Sequence, residues 1–93
     1  MHEARTYHHI SSAVVMTQAA MEKNVVAKLA RMDNVEVHAH ERGKIVVVIE
    51  GSSAGALGDC LSKITALDGV VAANMVFEHV EMEMDGDERT HPT

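Results

Sequence analysis

The chain reads as an α+β fold built from two β-α-β units in succession, β-α-β-β-α-β, and three features of its 93 residues predict it. Two stretches carry apolar residues at helical spacing. Each stretch is flanked by runs of β-branched residues without a helical period, and Asp33-Asn34, Arg42-Gly43, Gly51 and Gly69 punctuate the boundaries. A length of 93 residues allows one domain with one modest core.

Residues 7–17, YHHISSAVVMT, are rich in β-branched and small side chains and make the first strand. In 18–32, QAAMEKNVVAKLARM, Met21, Val25, Leu29 and Met32 recur on one side while Glu22, Lys23, Lys28 and Arg31 take the other, which predicts an amphipathic helix. NVEVHAHE then alternates Val35, Val37 and Ala39 with Glu36, His38 and His40, as a half-exposed strand does, and Arg42-Gly43 turns the chain into KIVVVIE. Ser52 or Ser53 caps a second helix, whose stripe is Leu57, Cys60, Leu61, Ile64 and Leu67 and whose end is Gly69. VVAANMVFEHVEM, residues 70–82, is the last strand. This order is that of the ferredoxin-like split β-α-β fold, a four-stranded antiparallel sheet with two helices on one face. Its first and third strands are central and its second and fourth lie at the edges. The domain is expected over residues 7–82, with 1–6 a flexible N-terminus. Residues 83–93 are expected to be an acidic, solvated tail, since five acids from Glu81 onward meet a single arginine.

Eight basic residues against fourteen acidic ones give a formal charge of −6, which repels phosphate backbones and favours cationic partners; nucleic acid is not an expected partner. Tyr7 and Phe77 are the only aromatics, too few for base stacking on the central strands. The lone Cys60 stands in an apolar stretch and reads as a buried thiol in a reducing compartment. No run approaches the ~18 apolar residues of a membrane span, and the polar start MHEARTYHHIS has no signal-peptide h-region, so a cytoplasmic protein without membrane insertion is expected. His38 and His40 share a strand face at i, i+2, yet no Cys-x-x-Cys joins them. Thr17-Gln18-Ala19-Ala20 occupies the place of the paired cysteines of copper-carrying versions of this fold, and no metal is expected. Ser11-Ser12 lacks an orienting base, and Gly51-Ser52-Ser53 lacks the Lys-Ser/Thr of a phosphate loop. Neither catalytic residues nor a cofactor is expected.

The stretch GKIVVVIEG, residues 43–51, poses the functional question. A strand sends alternate side chains to opposite faces, so an unbroken run from Ile45 to Ile49 is apolar on both, and two helices cover only one. With Arg42-Gly43 as a two-residue turn, Val37 is expected opposite Val48 and Ala39 opposite Val46. Placing Val37 and Ala39 in the core leaves Glu36, His38, His40, Ile45, Val47 and Ile49 on the open face. Asn74 sets the last strand with Ala72, Asn74, Val76 and Glu78 outward and Val71, Ala73, Met75 and Phe77 inward. Ser12, Val14 and Met16 are taken as outward on the first strand. Together with Glu50, these residues make a surface with an apolar middle and carboxylates near its edges, suited to a peptide that is both apolar and cationic. Two other uses stay open: weak self-association of the sheets face to face, and a homodimeric small-molecule-binding regulatory domain.

Ile10-Ser11-Ser12-Ala13-Val14-Val15, Glu36-Val37-His38, Gly43-Lys44-Ile45-Val46-Val47, Glu50, Leu67-Asp68-Gly69-Val70 and the run from Val76 to Glu81 resemble, in order and spacing, the NapD family. These are cytoplasmic assembly chaperones of the periplasmic nitrate reductase. Phe77-Glu78 stand where the family usually has Tyr-His. The resemblance implies a ferredoxin-like protein that binds the twin-arginine signal peptide of the nitrate reductase catalytic subunit. Such a protein delays export until the molybdenum cofactor and iron–sulfur cluster are installed, without binding the cofactor or catalysing a reaction itself. The strand-face reading above then gives the expected peptide-binding residues as Ser12, Val14, Met16, Glu36, His38, Ile45, Val47, Ile49, Glu50, Asn74, Val76 and Glu78.

Overall fold

The computed structural model describes residues 5–84, with side chains over 8–80. The elements follow in the predicted order: β1 Arg5–Thr17, α1 Glu22–Ala30 behind a short 3-10 turn at Ala19–Met21, β2 Val35–Glu41, β3 Lys44–Gly51, α2 Ala54–Thr65 and β4 Val70–Met84. The four strands pair antiparallel in the order β2-β3-β1-β4, which makes β1 and β3 central. Strand β1 starts at Arg5, within the segment 1–6 read as flexible, and β4 reaches Met84. The rest of that N-terminus and of the acidic tail, residues 1–4 and 85–93, lie outside the described residues.

The helical stripes go where their spacing sends them. Val25 and Leu29 of α1 and Leu57, Cys60 and Ile64 of α2 pack on Ala13 and Val15 of β1, Val35 of β2, and Ile45, Val47 and Ile49 of β3. Met21, Met32, Leu61 and Leu67 close the rim of this core. The Ala56 N–H donates to Ser53 Oγ at 3.0 Å, so Ser53 is the cap that starts α2. Burial pushes the Cys60 thiol above its ordinary pKa, which leaves it a packing residue rather than a nucleophile.

Strand β3 corrects the sequence expectation. Ile45, Val47 and Ile49 are all 0% exposed beneath the helices, and it is Val46 and Val48 that face away from them. The turn is indeed two residues, with Glu41 opposite Lys44 and positive φ at both Arg42 (54°) and Gly43 (81°), as a type I′ turn needs. Ala39 also stands opposite Val46, but Val37 pairs with Val47 rather than Val48, because His38 is an extra residue bulged out of β2. That bulge lets Val35 and Val37 share the covered side with Val47 and Ile49. The opposite phase would carry Lys44 and Glu50 into the core along with Val46 and Val48, and a buried unpaired charge costs at least several kcal/mol. The bulge also separates the two histidines expected on one face: His40 turns to the helix side, where its Nδ1 lies 2.5 Å from Glu22 Oε2.

Strand β4 carries two more irregularities against β1. Ser12 stands opposite Phe77 and Ala13 opposite Met75, which leaves Val76 as an extra residue; Met16 opposite Ala72 and Thr17 opposite Val70 leave Val71 as another. Ala73 and Met75 pack on the core as expected, but Val71 and Phe77, read as inward, are 67% and 61% exposed. Past the Val76 bulge, Phe77 shares the open face with Ser12, and Glu78 comes opposite buried Ser11 on the helix side. Ser11 Oγ donates to the Phe77 carbonyl at 2.9 Å, so the buried hydroxyl and a carbonyl beside the bulge satisfy one another.

Glu22 ties three elements together. Its Oε2 meets His40, its Oε1 accepts from the Gly43 N–H at 2.6 Å, and the Gly43 carbonyl accepts from the Thr17 N–H at 2.7 Å. A side chain at residue 43 has no room, since a Cβ there would stand 2.9 Å from the Thr17 carbonyl oxygen. The His40 bond first, and the Gly43 N–H second, hold the Glu22 carboxyl below its ordinary value of 4.5. Stability from a depressed carboxyl is present in full above that value and is lost as pH falls through the lowered one. Glu22→Gln is therefore expected to lower Tm at pH 7, with the gap to the wild-type protein narrowing below pH 4.5; a gap independent of pH in a Tm-against-pH series contradicts this account. Val47→Asp, which places a carboxylate in the core, is expected to cost on the order of 3–5 kcal/mol in urea unfolding, against less than roughly 1 kcal/mol for Val46→Asp on the open face.

Candidate functional site

On the side away from the helices the ladder registers stack the outward side chains in four rows, successive rows about 7 Å apart along the strands. The first, at the β2–β3 turn, contains Glu41, Lys44, Met16 and Ala72; the second Ala39, Val46, Val14 and Asn74. The third contains Glu36, Val48, Ser12 and the Val76-Phe77 bulge, and the fourth Glu50, Ile10 and His79. Val14, Val46 and Val48 on the two central strands, with Met16, Ile10 and Phe77 around them, form one apolar field. Met16, Val46, Val76 and Phe77 are 40%, 38%, 61% and 61% exposed, a contiguous concentration that a small domain carries at risk of aggregation unless something binds there.

Two carboxylates flank one end of this field. Glu36 stands opposite Val48 and Glu50 lies two residues further along β3 on the same face, a diagonal pair separated by about 7–8 Å. Both are exposed. The bulged His38 holds its Nε2 3.6 Å from Glu36 Oε1. Asn34 fixes the Glu50 backbone from both sides: its side-chain amide donates to the Glu50 carbonyl at 3.2 Å and its own carbonyl accepts from the Glu50 N–H at 3.0 Å. Across the sheet, the Phe77 and His79 rings stack at 6.4 Å and 11° and wall the other margin.

Of the residues named from the sequence, Ser12, Val14, Met16, Glu36, His38, Glu50, Asn74 and Val76 do share this face. Ile45, Val47 and Ile49 do not: they are core, for the reason the bulge at His38 supplies. Glu78 is on the opposite side of the sheet, shifted there by the bulge at Val76. Sequence reasoning missed Ile10, Val46, Val48 and Phe77. The signal for the two valines was present, since they share a strand phase with Lys44 and Glu50, which belong in water. For Phe77 there was none, because the bulge that exposes it involves neither glycine nor proline.

The chemistry available is that of a recognition surface: aliphatic contact plus paired hydrogen-bond acceptors of negative charge, which match guanidinium groups. Among the described residues no three His, Cys, Asp or Glu side chains converge as metal ligands, and no helix is long and apolar enough to cross a membrane.

A family model described as "NapD protein" matches residues 8–82. A relative from Paracoccus pantotrophus, described as "Chaperone NapD", is 37% identical over 81 residues, which span 87% of this chain and 70% of the relative. Among solved structures, the solution structure of the E. coli Tat proofreading chaperone protein NapD superposes with a TM-score of 0.69 at 20% identity, covering 100% of this chain and 94% of that one, a likeness of fold.

Proposed function

The chain belongs to the NapD family of chaperones, and on that premise we propose that its open sheet face holds, in the cytoplasm, the twin-arginine signal peptide of the periplasmic nitrate reductase catalytic subunit. Holding the peptide delays export until the enzyme's cofactors are installed. The observation that carries this reading is the apolar field of Val14, Val46 and Val48 with Glu36 and Glu50 beside it. A twin-arginine peptide joins a cationic segment to an apolar one, and this face joins acceptors of opposite charge to apolar surface. The relation of this chain to a Tat proofreading chaperone of the same fold is in keeping with it.

The backbone bonds of β1 and β3 are already taken by their neighbours, so a peptide lying over them meets side chains only and satisfies its own backbone as a helix. Burying three valines and part of Met16 at roughly 25 cal/mol per Å2 contributes several kcal/mol, much of it offset by the ordering of the peptide. Specificity then rests on the arginines, whose planar forks fit carboxylates in a way that lysine does not.

Calorimetric titration with a synthetic twin-arginine signal peptide is expected to show binding that weakens about 5–30-fold, or ~1–2 kcal/mol, when Lys-Lys replaces Arg-Arg. Val46→Asp is expected to weaken it at least as much with Tm near the wild-type value. No binding, together with a monodisperse dimer by light scattering, would falsify the proposal.

A further inference from the structure

The open face is electrically polar along its strands, and from this, resting on the signal-peptide reading above, we infer the direction in which the peptide lies. It runs parallel to β1, with its arginines over Glu36 and Glu50 and the far end of its apolar segment over Lys44 and Met16. The first row and the turn beside it hold two cations, Lys44 and Arg42, against one carboxylate, Glu41, whose Oε2 is 3.6 Å from Arg42 Nε. The third and fourth rows hold two carboxylates, Glu36 and Glu50, with the histidines His38 and His79 as their basic neighbours. One end of the face therefore attracts a guanidinium pair and the other repels it.

Length agrees with charge. Four rows about 7 Å apart span roughly 20 Å, the rise of about 13 helical residues, which accommodates an arginine pair at one end followed by an apolar segment. Between the two ends, Val48, then the Val14–Val46 pair, then Met16 offer aliphatic contact row by row. The backbone adds a second preference, because a helix laid this way points its electron-rich C-terminal carbonyls at Lys44 and its N-terminal N–H groups at the glutamates. The reverse direction sets arginines against Lys44 and Arg42 and covers Glu36 and Glu50 with apolar side chains, losing both matches. The shallow depression lined by Ala39, Glu41, Lys44 and Val46 then receives the end of the apolar segment, and Lys44 disfavours peptides in which a basic residue follows that segment.

Paramagnetic broadening of the full chain's amide signals reads the direction. Two synthetic peptides are compared, one with a nitroxide beside the arginines and one with it after the apolar segment. The first is expected to broaden Ile10 and Glu50 most strongly, the second Met16, Ala39 and Lys44. A swapped pattern, or both labels broadening both ends alike, overturns the inferred direction while leaving the face as the binding site. Broadening confined to α1, α2 or the outer edge of β4 removes the binding face itself and with it the proposed function. As an independent reading, Glu50→Lys is expected to weaken binding about tenfold and Lys44→Gln by less than twofold, and the opposite ranking contradicts the direction.

Discussion

Everything in this molecule depends on one geometric constraint: two short helices can cover only one side of a four-stranded sheet. Strand β3 is apolar on both sides over five residues, so a choice must be made about which side goes under the helices. Ile45, Val47 and Ile49 win because they are three residues against two, because isoleucine adds about 0.8 kcal/mol per extra methylene buried, and because the losing phase contains Lys44 and Glu50. The valines left outside are the consequence, and they are what a partner can use. A domain of this size buries only roughly 60–65% of its unfolded surface and has no further layer to lay over the open face.

Irregularities in the edge strands decide which side chains this leftover surface carries. The bulge at His38 reconciles a two-residue turn with valines on the covered side of β2. It also separates the two histidines, sending His40 to Glu22 while His38 stays beside Glu36. The bulge at Val76 rotates Phe77 onto the open face and Glu78 off it. Both edges also gain protection, since a bulged strand is a poor template for another chain. The Glu22 clamp on Gly43 fixes the hairpin that carries Lys44, so the helix layer sets the position of one end of the open face.

The sequence disclosed the fold because each element is locally consistent. The stripe from Met21 to Met32, the Ser53 cap, the Arg42-Gly43 turn and Gly69 all agree with the final topology. It also disclosed that one face is uncovered, and on β1 it placed Ser12, Val14 and Met16 on that face while missing Ile10. What it hid was register. A single bulged residue exchanges the faces of all that follows, and neither His38 nor Val76 is of a type that announces a bulge. The charged ends of β3 could have corrected the error on that strand, since Lys44 and Glu50 point away from any core; Phe77 offered no such clue.

The most direct test of the central claim is a methyl-resolved NMR titration of the full chain with the twin-arginine peptide. The account predicts that the methyl signals of Val14, Val46, Val48 and Val76 shift together with the amides of Glu36 and Glu50, while those of Ile45, Val47, Ile49 and Leu57 stay in place. Shifts concentrated on the helices, with the open-face valines unmoved, would contradict it.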